Sequence, residues 1–313
     1  MDPVPALADR LIAIVGPSGA GKSDLALRLA EAVPSEIVSC DSLQVYRGLD
    51  IGSAKPSLED RRRVPHHLID VVDPGQEFSA AQYAALARAA VAAARRRGRL
   101  PVVVGGTGLY LRALLVGLFQ GPSRDAELRR RLEGIAERHG DARLHRLLAR
   151  VDPGAAARIP PRDRVRIVRA LEVFRATGRP LSEHHREAAG AAPGAAFLVG
   201  LAPDRVELRR RVEARTRRML ESGLLDEVRG LLERGYGPEL RPLQAIGYRQ
   251  ALAVLRGAMT VQDAERGIVT DTMQYAKRQM TWFRHQTPGV RWHASADAAL
   301  ADAAAWLAAS GAR

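Results

Sequence analysis

The sequence predicts an α/β fold: a parallel sheet core flanked by helices, with an all-helical subdomain inserted into it. Three observations carry that prediction. Short apolar runs at 11–15, 36–40 and 100–104 alternate with helical patterns from residue 23 and over 78–97, and buried strands between helices form a parallel sheet covered on both faces. From about 120 to 195 the alternation gives way to arginine-rich helical periodicity, "RDAELRRRLEGIAERHG" and "RDRVRIVRALEVFRATG", punctuated by Pro and Gly and without a convincing strand. "AFLVGLAPD" at 196–204 then reads as a returning strand, followed by one long helical stretch ending at Gly235. The core is therefore assigned to 1–119 and 196–313, and the insertion to 120–195. With 313 residues, 46% of them hydrophobic, the chain has ample material for such a core.

The first strand runs into "GPSGAGKS", in which Gly16, four residues, Gly21, Lys22 and Ser23 satisfy the phosphate-loop pattern between a strand and a helix. Glycines let backbone N–H groups turn inward around an anion, Lys22 adds a compact positive charge, and the Ser23 hydroxyl can hold Mg²⁺. Gly16, Pro17, Ser18, Gly19, Ala20, Gly21, Lys22 and Ser23 are thus expected to bind phosphate, with Ser23 the metal ligand. A glycine turn without a ligand is the plain alternative, which the complete motif in its proper context outweighs. The motif leaves the cargo open, ATP and other nucleotides being its commonest occupants.

The second strand ends at Asp41 in "IVSCDSLQVYRGLDIGSAKP", a polar, glycine-bearing loop; Asp41 is either a helix or turn cap or a working carboxylate. "VVVGGTGLYLRALL" repeats the strand, glycine turn and helix arrangement. A nucleotide-hydrolysing site would place an aspartate at the end of such a strand to hold Mg²⁺, whereas this one ends in glycine. The Thr107 hydroxyl and the following helix start can donate to an anion instead. Ligands of parallel sheets sit at the carboxyl ends of the strands, so 16–23, Asp41 and 105–107 converge on one cleft. Arg211, Arg215 and Met219 recur at helical spacing in "RVEARTRRML"; they form either a solvated face or a single arginine clamp on phosphate. The adjacent His66 and His67 point different ways without a third ligand nearby, so no metal role is expected. The C-terminal alanine run reads as a helix.

Net charge is +13 and the isoelectric point near 10.9, the electrostatic footprint of a polyanionic partner, although compositional bias toward arginine could contribute. Only Lys22, Lys55 and Lys277 among the 48 lysines and arginines are lysine, which hints that a compact ammonium is needed where it survives. The lone Cys40 excludes an internal disulfide and a cysteine-based zinc site. No run approaches about 18 apolar residues, and "MDPVPALADR" lacks the basic and apolar stretches of a targeting segment. A cytoplasmic location, no membrane partner and a monomer are expected.

"GPSGAGKS", "DSLQVYRGLDIGSAKP", "HHLID", "FSAAQY", "VGGTGLYLRAL", "RALEV", "AIGYRQ" and "YAKRQMTWFR" occur in the order and at the comparable spacing of the bacterial tRNA dimethylallyltransferase (isopentenylpyrophosphate transferase) family, which the chain resembles from about residue 10 to 290. Serines in the phosphate loop where many relatives have threonine keep its geometry and hydroxyl; Arg162-Asp163 stands where relatives often carry asparagine and proline. The resemblance implies transfer of a dimethylallyl group from dimethylallyl diphosphate to the N6 amine of the adenine immediately 3′ of the tRNA anticodon, with release of diphosphate. The loop would then hold diphosphate and Mg²⁺. Asp41 would be the base, and Thr107 and Arg215 would assist the leaving group. Asp41, Ser42, Leu43, Gln44 and Thr107, then Arg166, Ile167, Val168 and Arg169 of the insertion, and Gly247, Tyr248, Arg249 and Gln250 would meet the anticodon stem-loop. Three other readings remain: a small-molecule or nucleotide kinase, which predicts nucleotide hydrolysis and no need for the positive charge; a nucleic-acid-binding module with a relic loop, which the intact lysine and hydroxyl oppose; and a relative that prenylates free adenine nucleotides, which does not need the basic insertion.

Overall fold

The computed structural model describes residues 10–117, 121, 125–187 and 195–309. The chain divides into two compact units, 1–115 with 192–313, and 116–191. The expected boundary at 119–120 lies outside the described residues, as do the first nine positions.

The first unit opens with β1 (Arg10–Val15), α1 (Lys22–Ala32), β2 (Ser35–Ser39), α2 (Leu58–Arg63), β3 (His66–His67), α3 (Ala80–Arg96), β4 (Leu100–Gly105) and α4 (Gly108–Leu115). The second unit contains α5 (Ala126–His139), α6 (Asp141–Val151), α7 (Pro153–Ala156), α8 (Arg164–Thr177) and α9 (Leu181–Glu187). The chain then returns to the first unit with β5 (Ala195–Leu201), α10 (Arg205–Glu221), α11 (Leu224–Glu233), α12 (Tyr248–Leu255), α13 (Val261–Gln286), β6 (Arg291–His293) and α14 (Ala296–Ala309).

The six strands form one parallel sheet in the order β3-β2-β4-β1-β5-β6. In the central strand β1, Ile12 pairs with Val102 on one side and Phe197 on the other. Successive side chains of a strand point to opposite faces: Leu11, Ala13 and Val15 enter a core with Tyr83, Leu111 and Phe283, while Ile12 and Ile14 enter another with Leu25, Leu29 and Leu100. Burial on both faces is why the strand reads as an unbroken apolar run. A capping box between Ser79 and Gln82 starts α3.

Two details differ from the sequence reading. The stretch expected to form one helix up to Gly235 is broken at Gly223, whose φ of +95° lies in the left-handed region, so α10 and α11 can turn against each other. The edge strands β3 and β6 have two and three residues, too few for a period-two pattern to register. The helical unit has its own core of Leu132, Leu144, Leu148, Ile167 and Val168. Among the described residues no helix is long and apolar enough to cross a membrane.

Candidate active site

The loop between β1 and α1 takes its shape from Gly16, Gly19 and Gly21, with φ of +142°, +85° and +91°. A Cβ on Gly16 would stand 2.4 Å from the Leu201 carbonyl oxygen; the backbone passes too close to β5 for any side chain. The N–H groups of Gly19, Gly21, Lys22 and Ser23 donate to no acceptor among the described residues. Orphan amides of this kind around a helix start form an anion cradle.

The ends of three strands are fastened together. Gln279 of α13, 5% exposed, accepts the Ser18 N–H at 2.9 Å and donates to the Gly106 carbonyl at 3.0 Å. Gly105 abuts β2 so closely that a Cβ would lie 2.0 Å from the Cys40 carbonyl oxygen. The Thr107 N–H donates to that same oxygen at 3.2 Å, and the Thr107 hydroxyl accepts the Ser42 N–H at 3.1 Å, which leaves its hydrogen available to an anion. Asp41 Oδ1 accepts the Leu43 N–H at 2.8 Å; Oδ2 has no hydrogen-bond partner among the described residues. Burial pushes the Cys40 thiol up to about 12, so it is a packing residue.

Charge is concentrated around this loop. Lys22 Nζ donates to the Pro17 carbonyl at 2.8 Å; burial, reinforced by Arg215 and opposed by Asp41, brings its pKa down to about 8. Burial likewise holds the Arg215 guanidinium below its ordinary value, against the attraction of Asp41. Arg215 makes no hydrogen bond or salt bridge with the described residues. Two half-buried cations that form no salt bridge among the described residues, with Asp41 as the nearby carboxylate charge, stand beside a phosphate loop, an arrangement an anion stabilises. Tyr275 of α13 borders the same place: burial, then the Asp41 charge, push its hydroxyl up to about 12. Arg211, on the same helix as Arg215, donates to the Ala20 carbonyl at 3.2 Å and is held by Glu207 at 2.6 Å.

Mg²⁺ suits the donor set. Ser23 is exposed on the first turn of α1 and its hydroxyl has no partner among the described residues, while those residues contain no group of three or more His, Cys, Asp and Glu able to hold a metal by themselves. Mg²⁺ keeps several waters and takes substrate phosphate oxygens, and the hydroxyl that follows a phosphate-loop lysine is a protein ligand it can use.

Several residues expected to touch RNA are otherwise engaged. Ile167 and Val168 are 0% and 3% exposed in the helical core, and Tyr248 and Gln250 are 0% and 5% exposed; the side chains of these four pack inside the protein, so any contact they make with RNA is left to their backbone. The Tyr248 hydroxyl donates to Glu227 at 2.7 Å, and Gln250 bonds the Gly247 N–H and Asp271. Gln44 spends its amide on Ser39, Ser53 and Ala54, and Leu43 packs against the core. Arg249 pairs with Asp271 at 2.6 Å. Arg169 pairs at 2.7 Å with Glu172, whose side chain is 1% exposed, whereas Arg166 is exposed and has Asp163 at 3.3 Å. His67 meets Glu36 at 2.7 Å and His66 bonds the Val64 carbonyl. Lys55 is a loop clamp, bonding the Tyr46 carbonyl, Asp50 and Asp70. Gln279 and Tyr275 escaped site assignment from sequence; their i, i+4 spacing in "YAKRQM" is the signal that places them on one helix face.

The fold and the loop define a phosphate-loop α/β protein with a helical insertion. The sequence profile of the IPP transferase family matches residues 44–286. A tRNA dimethylallyltransferase of Geobacter metallireducens is 53% identical over 89% of this chain and 90% of its own, and one of Halorhodospira halophila is 52% identical over 91% and 93%. Among solved structures, the full-length tRNA isopentenylpyrophosphate transferase of Bacillus halodurans is 37% identical and superposes with a TM-score of 0.71 over 97% of both chains. A eukaryotic dimethylallyltransferase solved acting on tRNA gives 0.73 at 30% identity, over 88% of this chain and 70% of that one. The chain belongs to the IPP transferase family.

Proposed function

We propose that this protein is a tRNA dimethylallyltransferase: it moves the dimethylallyl group of dimethylallyl diphosphate onto the N6 amine of the adenine immediately 3′ of the anticodon and releases diphosphate. The observation that carries this reading is the pairing of a cationic cradle, Lys22 and Arg215 beside the orphan loop amides, with one nearby carboxylate, Asp41, whose Oδ2 has no hydrogen-bond partner among the described residues. Ionising an allylic diphosphate needs a preorganised acceptor for negative charge; alkylating an amide-like exocyclic amine needs a base for its proton. The relatives named above carry the same activity in their names.

In this reading the N6 lone pair forms the new bond to the allylic carbon as its bond to the diphosphate oxygen breaks, and that bonding pair leaves with diphosphate. Asp41 Oδ2 receives the N6 proton. Loop amides, Lys22, Arg215 and the Thr107 hydroxyl take up the charge of the departing group. Mg²⁺, held by Ser23 and phosphate oxygens, would supply further charge neutralisation. The target adenine must leave the anticodon-loop stack, at a cost of a few kcal/mol that a single-stranded loop keeps low, and the +13 charge favours the polyanion. Incubation with radiolabelled dimethylallyl diphosphate, Mg²⁺ and either bulk tRNA or AMP tests the proposal. Label transferred to tRNA is expected; label only in AMP, or no transfer to tRNA alongside hydrolysis of ATP in a parallel incubation supplied with ATP, would overturn it.

A further inference from the structure

We infer that Glu227 is a positioning residue for the reaction, acting through the loop that carries Asp41; this rests on the prenyl-transfer reading above. Glu227 lies on α11, and its carboxylate collects four donors. Oε2 accepts the N–H groups of Asp50 at 2.8 Å and Ile51 at 2.6 Å. Oε1 accepts the Gly52 N–H at 3.2 Å and the Tyr248 hydroxyl at 2.7 Å. Three consecutive backbone amides on one carboxylate bind like an anion in a nest, and charged acceptors make the stronger hydrogen bonds. Tyr248 is fully buried, and burial, then the adjacent Glu227 charge, drive its hydroxyl well above its ordinary pKa, so it remains a donor.

The anchored segment is wired to Asp41. Ser53 donates to the Leu49 carbonyl at 2.5 Å. Gln44, three residues beyond Asp41, donates to the Ala54 carbonyl at 3.1 Å and accepts the Ser39 hydroxyl at 2.8 Å. Lys55 ties the Tyr46 carbonyl to Asp50 and Asp70 from within, its side chain 2% exposed. Residues 39–55 thus form one braced loop, and Glu227 fixes its far end to α11. The approach is close: a Cβ on Gly52 would lie 2.5 Å from the Tyr248 ring. A general base works only within about 3.2 Å of the proton it takes, so a loop set loose at 50–52 costs turnover rather than diphosphate binding.

The test compares wild type, Glu227→Gln, Asp41→Ala and the double variant for kcat at saturating tRNA, KM for dimethylallyl diphosphate, and amide hydrogen exchange. Glutamine preserves the volume but turns an NH₂ toward groups that are themselves donors. Glu227→Gln should lose at least about tenfold in kcat with KM for dimethylallyl diphosphate within about twofold, and protection of the Asp50, Ile51 and Gly52 amides should fall. In the Asp41→Ala background the same change should cost no more than about twofold, since residues acting as one unit are not additive. Unchanged kcat, or the full loss repeated on top of Asp41→Ala, would refute the inference. Gly52→Ala pushes the loop off Tyr248 from the other side and should give the same kcat loss; it stands in if Glu227→Gln melts below the assay temperature, with the same outcomes decisive. A wild-type protein that transfers no prenyl group would overturn the activity itself, and the inference with it.

Discussion

Gln279 and Ser18 are joined across 261 positions of sequence, the side-chain oxygen of one accepting the backbone N–H of the other at 2.9 Å. Because the same amide donates to Gly106, one residue of α13 sets the spacing between the phosphate loop and the turn after β4. Gln279→Ala should therefore lower kcat/KM for dimethylallyl diphosphate by about 10- to 100-fold, corresponding to about 1–3 kcal/mol for stranded buried partners. Gln279→Glu keeps the acceptor for Ser18 but loses the donor to Gly106 and adds negative charge beside the loop, so its loss should be larger. Steady-state kinetics on both variants check this; wild-type kcat/KM in Gln279→Ala would show that the loop holds its shape alone.

Asp41 has one oxygen spent on the Leu43 amide and one without a hydrogen-bond partner among the described residues. Asp41→Ala should reduce turnover by ~10²- to 10⁴-fold while both substrates still bind, the usual contribution of general-base assistance. Single-turnover rates alongside equilibrium binding separate the two effects, and retained turnover would remove Asp41 from the base role.

On the proposed reading, Lys22, at about 8 against an ordinary 10.5, should make diphosphate use pH-dependent. Its charged form is the one the substrate needs, so kcat/KM for dimethylallyl diphosphate should fall as pH rises through about 8. Binding the diphosphate restores the favoured charge and should take up protons near pH 8, measurable by calorimetry in buffers of different ionisation enthalpy. The sign for stability is opposite: the folded state binds this proton less tightly than the unfolded chain, so the Lys22 contribution to stability rises between pH 8 and 10.5. Calorimetry showing no proton exchange would place the ammonium outside the diphosphate site.

Local physics made much of this legible from sequence. The central strand, the phosphate loop and Asp41 at the tip of β2 all follow from patterns within a few residues, because burial on both faces and left-handed glycines leave direct marks. What escaped was long-range. Nothing near Gln279 announces a bond to Ser18, nor does anything near Glu227 announce three amides some 175 positions earlier. The resemblance placed Ile167, Val168, Tyr248 and Gln250 in a binding segment, but a motif marks a stretch of chain and cannot say which side of a helix faces the core. In the structure the side chains of those four are buried.

Arg166 and Arg169 are neighbours in "RVRIVR", one turn apart on α8, and the structure gives them different work. Arg169 is paired at 2.7 Å with Glu172, a buried carboxylate that also holds Arg129 at 2.9 Å and accepts the Asp125 N–H at 2.8 Å; these bonds hold the Glu172 pKa down to about 2 against burial. Removing one partner of a buried ionic group is costly, so Arg169→Ala should lower the melting temperature. Arg166 is exposed, and its Asp163 contact at 3.3 Å is a surface pair of little energetic weight. If its guanidinium meets an anticodon-arm phosphate, Arg166→Ala should weaken tRNA binding and flatten the slope of log affinity against log salt by up to about one unit. It should leave the melting temperature and dimethylallyl diphosphate binding unchanged. Filter retention of tRNA at several salt concentrations, alongside thermal denaturation of both variants, checks the division. An unchanged salt slope in Arg166→Ala would leave the helical unit without this phosphate contact, and an unchanged melting temperature in Arg169→Ala would free that arginine from its structural role.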